Sequence, residues 1–97
     1  MNLYAFDVDG TLETSNGPVT ILRLKQLQSL GHAVVIVSPS ELAPADFEKC
    51  LPGDRTANLV EAATRYPQAK RKVYVSDNND QASAEATGFE YIPHDRF

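Results

Sequence analysis

Three short, almost continuously apolar runs, each ending on an acid or a hydroxyl, most constrain how this 97-residue chain can fold. Residues Leu3 to Val8 are apolar apart from Asp7, "HAVVIVS" occupies 32–38 and "KVYVS" occupies 72–76. Runs of this length without polar alternation suit strands buried on both faces, as in a parallel sheet covered by helices. A final edge strand is expected in "FEYI", 89–92.

The segments between the strands carry helical signals. Ile21, Leu24, Leu27 and Leu30 recur every three residues among polar neighbours, and Gly31 closes the pattern. A second helix starts at Asp54, with Leu59, Val60, Ala62, Ala63 and Tyr66 on one face, and stops before Pro67. A third is expected over 80–88, and a short one near 45–50 among the prolines at 39, 44 and 52. Alternating strands and helices imply right-handed crossovers. The expected fold is α/β: a three-layer, Rossmann-like domain over residues 1–97, with a small, mostly parallel sheet between helices.

Ligands of such sheets bind beyond the carboxyl ends of the strands. Here those ends bring Asp7 and Asp9, then Ser38, then Asp77 and Asp80. Oxygen donors without His or Cys suit a hard cation such as Mg²⁺, which would also hold neighbouring carboxylates ionised. A carboxylate at a strand tip can attack a phosphoryl group, and a second one two residues on can pass protons, so Asp7 suits the nucleophile and Asp9 the general acid and base. Charge on the phosphoryl oxygens needs donors. The candidates are main-chain N–H groups around Gly10, the hydroxyls of Thr11 and Ser38, and a cation from Arg55, with Lys70 and Lys72 as alternatives.

"FDVDGTL" (6–12), "VVIVS" (34–38) and "VYVSDNND" (73–80) resemble, in order and spacing, the motifs of the haloacid dehalogenase (HAD) superfamily of phosphohydrolases. The resemblance spans most of the chain. It implies an HAD-like fold, Mg²⁺ dependence, Asp7 as nucleophile and Asp9 as general acid/base. It also implies that Ser38 binds the phosphoryl group and that Mg²⁺ is held by Asp7, Asp77 and the main-chain carbonyl of Asp9. The chain departs from the family in two places. Asp77 and Asp80 are three residues apart where the family commonly has four, which leaves the role of Asp80 open, and Arg55 stands roughly where the family has a lysine. Residues 13–18 and 39–54 have no room for a cap domain, so the implied site is open. The expected partner is a phosphorylated small molecule or an exposed phosphate on a larger one, with access that an oligomer could complete.

Other function classes fit less well. A "DG" hairpin would need an alternating strand before it, and a calcium-binding loop would need Gly and Glu where Leu12 and Pro18 stand. The formal charge of -4, with "KRK" at 70–72 as the one basic cluster, argues against nucleic acid. The single cysteine, Cys50, excludes an internal disulfide and is expected to be inert, while His32 and His94 are expected in solvated loops. With neither a leader-like start nor a run of ~18 apolar residues, the expected setting is cytoplasmic, without a membrane partner. The alternative function is a catalytically weak or inactive phospho-acceptor domain, since receiver-like modules gather similar groups.

Overall fold

The computed structural model describes residues 1–51, 53–77 and 80–97. Five strands, β1 (Leu3–Phe6), β2 (Ala33–Ile36), β3 (Glu48–Lys49), β4 (Lys72–Ser76) and β5 (Glu90–Pro93), form one sheet in the order β3-β2-β1-β4-β5, and every pairing is parallel. Between them run α1 (Ile21–Ser29), α2 (Arg55–Arg65) and α3 (Gln81–Ala86), with single 3₁₀ turns at Glu13–Ser15 and His94–Arg96.

The period-two alternation of each strand divides the core into two layers. Phe6, Val34, Ile36, Val73 and Val75 face Leu24 and Leu27 of α1. Leu3, Ala5, Val35 and Tyr74 face Leu59 and Ala62 of α2 and Ala84 of α3. Central strands therefore have no solvated face, which is why their sequences read as unbroken apolar runs. Both long helices start on side-chain caps: the Thr20 hydroxyl accepts from the Arg23 N–H and the Asp54 carboxylate accepts from the Ala57 N–H at 2.9 Å.

The helix expected near 45–50 is instead the two-residue strand β3. Phe47 and Cys50 are buried three residues apart, a spacing that imitates a helical face. The main chain around them satisfies the outer edge of β2: Glu48 and Lys49 pair with Val35 and Ile36, and Cys50 N–H donates to Ile36 O at 2.9 Å. Two residues assigned to apolar helix faces also lie outside the core. Leu30 is the C-cap of α1 and 72% exposed, and Val60 is 51% exposed on α2. Cys50 is fully buried, and burial pushes its thiol up, away from the reactive thiolate. His32 is half-buried, its Nδ1 accepting from the Asn2 N–H, instead of solvated.

Strand order fixes where function can sit. From β1 the chain steps to β2 on one side, and β4 and β5 later fill the other side, so the carboxyl end of β1 is the switch point of the sheet. The register brings Phe6 level with Ile36 and Val75, and it continues beyond the strands. Val37 N–H donates to Phe6 O and Asp7 N–H donates to Val75 O, both at 3.0 Å. Among the described residues no helix is long and apolar enough to cross a membrane.

Candidate functional site

Asp7 is the first residue beyond β1, and alternation turns it to the face of the sheet where α2 begins. Its side chain is 3% exposed, and Arg55, the first residue of α2, approaches with Nη2 3.2 Å from Asp7 Oδ1. Burial raises the Asp7 carboxyl above its ordinary range. The Arg55 guanidinium opposes that rise, while the charges of Asp77 and Asp80 add to it. The site is thus built to keep a buried carboxylate close to added positive charge.

Arg55 is held by a second set of contacts. Its Nη1 donates to the Tyr74 phenol and lies 3.4 Å from Asp80 Oδ2. Asp80 Oδ2 also accepts from Tyr74 Oη at 2.9 Å and from Ser76 Oγ at 3.3 Å. Asp80 occupies the N-cap position of α3 but makes no capping bond. Its carboxylate faces the strand end and Arg55, which gives this acid a role as the anchor of the cation. Lys70 is exposed, and Lys72 pairs with Leu3 at the amino end of β4, its Nζ 5.8 Å from the centre of the Phe89 ring. Neither lysine is brought to Asp7.

The loop after β1 joins the ends of three strands. Gly10 has φ +72°, and a Cβ there would lie 2.0 Å from Asp77 Oδ2, so only glycine lets the Asp77 carboxylate close against this turn. The Gly10 N–H, expected to face a phosphoryl group, instead donates to Ser15 Oγ at 3.0 Å. Thr11, also expected to bind substrate, is fully buried; its Oγ1 accepts from the Asp77 N–H at 2.9 Å and ties β1 to β4. Ser38 is 3% exposed at the end of β2, where its Oγ accepts from the Ser40 N–H. Asp9 is exposed, and its Oδ1 accepts from Ser40 Oγ at 2.8 Å.

A hard cation suits the donors assembled here. Asp7 and Asp77 interact electrostatically, and Asp77 lies against the turn that carries the Asp9 carbonyl. Among the described residues no three His, Cys, Asp or Glu side chains gather as a ready-made metal cluster, and the ligand set implied by the resemblance has only two carboxylates beside a main-chain carbonyl.

Three contributors escaped sequence reasoning. Ser40 links Asp9 to Ser38, Tyr74 braces Arg55, and buried Asn58 on α2 donates from Nδ2 to Val37 O at 3.1 Å while its Oδ1 accepts from Gly53 N–H at 3.2 Å. The one available signal was a polar residue on an otherwise apolar helix face, at Asn58. His94, at the end of β5, carries a buried Nδ1 with no hydrogen-bond partner among the described residues.

No family model matches the chain, and neither a curated protein nor a solved structure matches it significantly.

Proposed function

We propose that this chain is an HAD-like, Mg²⁺-dependent phosphatase that hydrolyses phosphomonoesters through an aspartyl-phosphate on Asp7. The observation that carries the proposal is the buried Asp7 carboxylate at the switch point of a parallel sheet, with an arginine nitrogen 3.2 Å away.

An Asp7 oxygen attacks phosphorus as the bond from phosphorus to the leaving oxygen breaks, and Asp9 gives its carboxyl proton to that oxygen. Water then attacks the phosphoryl group, Asp9 takes the proton of that water, and the bond between phosphorus and Asp7 breaks to release phosphate. Arg55 would neutralise the phosphoryl oxygens, and the Ser38 hydroxyl would donate to one of them and orient it. Mg²⁺, bound by Asp7, Asp77 and the Asp9 carbonyl, would supply the remaining positive charge. Between β1 and α1, and between β2 and β3, the chain builds only a 3₁₀ turn at Glu13–Ser15 and a loop without a helix or strand of its own among the described residues, which favours an exposed phosphate over an engulfed one.

The test is hydrolysis of 4-nitrophenyl phosphate with Mg²⁺ and with chelator, by wild type and Asp7→Asn. Turnover that needs both Mg²⁺ and Asp7 supports the proposal; equal turnover by Asp7→Asn overturns it. Phosphate that transfers to Asp7 and stays there for many minutes would mark the chain as a phospho-acceptor domain.

A further inference from the structure

Ser40 was not among the residues expected at the site, yet it contacts two that were. It follows Ser38 by two positions, with Pro39 between them, on the loop that leads to β3. Its Oγ accepts from the Leu42 N–H at 3.2 Å and lies 2.8 Å from Asp9 Oδ1. Its N–H donates to Ser38 Oγ at 3.3 Å.

A serine hydroxyl has one proton. The Leu42 N–H already points at Ser40 Oγ, so that proton is directed to Asp9 Oδ1. With Oδ1 acting as the acceptor, Oδ2, which has no hydrogen-bond partner among the described residues, is the oxygen left to carry the carboxyl proton. The same logic applies at Ser38, whose Oγ receives the Ser40 N–H and so turns its own proton away from this loop. Pro39 fixes one main-chain dihedral between the two serines and limits how far they can drift apart. Asp9 needs this help because it is exposed beside Gly10, where a carboxylate would otherwise sample several rotamers.

We infer that Ser40 is a positioning residue that holds Asp9 with Oδ2 toward the leaving oxygen and, through its N–H, aims the Ser38 hydroxyl at the phosphoryl group. The inference rests on the phosphatase proposed above. Its distinguishing consequence concerns the leaving group. A nitrophenolate departs with little help from an acid, whereas an alkoxide needs the proton in the transition state.

The experiment compares glycerol phosphate with 4-nitrophenyl phosphate under single-turnover conditions with Mg²⁺, reading release of the leaving group. In Ser40→Ala the rate should fall about tenfold or more for the alkyl ester and less than about threefold for the aryl ester, a fraction of the 10²–10⁴ that a general acid typically supplies. Asp9→Asn should show the same selectivity more strongly, and Ser40→Thr, which keeps a hydroxyl, should recover most of the alkyl rate. Equal slowing of both esters, or no slowing of either, overturns the role of Ser40 while leaving the phosphatase intact. Failure of wild type to turn over either ester overturns the phosphatase and this role with it.

Discussion

Arg55 Nη2 lies 3.2 Å from Asp7 Oδ1, while Nη1 of the same guanidinium is engaged by Tyr74 and Asp80. The two nitrogens of the fork have separate partners, one holding the side chain and the other facing Asp7, the proposed nucleophile. A lysine ammonium is a single point charge and cannot divide itself this way. Arg55→Lys should therefore retain part of the activity, falling about tenfold in kcat/KM. Arg55→Ala should lose about 10²–10³, the range found when a transition-state donor is removed. Steady-state kinetics on an aryl phosphate check both, and full activity in Arg55→Lys would show that the fork geometry is dispensable.

Burial dominates the Asp7 carboxyl and raises it above its ordinary range despite Arg55. The sign follows from linkage. Between the unfolded value near 4 and the raised folded value, the native state binds more protons than the unfolded chain, so stability falls as pH rises through that window. In chelator at pH 7, Asp7→Asn should therefore unfold at a higher temperature than wild type. The advantage should vanish below pH 4, where Asp7 is protonated in both states. Thermal unfolding of both proteins at the two pH values decides it. A less stable Asp7→Asn at pH 7 would mean that the ion pair with Arg55 outweighs burial.

The parts of this molecule that were legible in the sequence are those fixed by local chemistry. β1, β2 and β4 are buried on both faces, so their composition alone marks them, and the helix start read at Asp54 falls on the N-cap of α2, whereas the Thr20 cap of α1 emerged only from the structure. Asp7 and Arg55 could be expected at the site because each sits where an element ends or begins. β3 was not legible, because a two-residue edge strand carries too few side chains to set a period. Ser40, Tyr74 and Asn58 act through partners 31, 19 and 21 residues away in sequence, so only the folded chain brings their contacts together.

Gly10 and Gly31 both hold positive φ, +72° and +88°, but their surroundings differ. A Cβ at Gly10 meets Asp77 Oδ2 at 2.0 Å, whereas one at Gly31 meets nothing within 4 Å. Both alanine variants should lose about 1–2 kcal/mol through backbone strain. Gly10→Ala should in addition displace the Asp77 carboxylate and raise the Mg²⁺ concentration for half-maximal activity by about tenfold or more, the penalty typical of a disturbed ligand shell. Gly31→Ala should leave the Mg²⁺ dependence unchanged. Equal Mg²⁺ dependence in both variants would remove Asp77 from the proposed ligand set.

Asn58 joins two loops that border the site, through Val37 O and Gly53 N–H. Asn58→Leu keeps most of the volume but leaves a buried carbonyl and an amide N–H without these partners. The expected cost is about 1–3 kcal/mol. Because Val37 precedes Ser38, the loosened strand end should also raise KM by severalfold with kcat less affected. Denaturant unfolding and steady-state kinetics test the two halves separately, and unchanged stability in Asn58→Leu would show that Val37 O finds another donor.

Tyr74 is fully buried in β4, and its phenol meets both Arg55 Nη1 and Asp80 Oδ2. Burial raises this phenol well above its ordinary range, so it stays neutral at any working pH and remains a hydrogen-bond donor to Asp80. Tyr74→Phe preserves the ring and removes only the hydroxyl. If the hydroxyl serves to aim Arg55, its loss should lower kcat/KM by about tenfold, of the order of 1.4 kcal/mol. The same change should cost far less in an Arg55→Lys background, where the fork is already gone. That non-additivity, measured in a double-mutant cycle, is the readout that a purely structural tyrosine would not give. Additive effects of Tyr74→Phe and Arg55→Lys would reduce Tyr74 to a core residue.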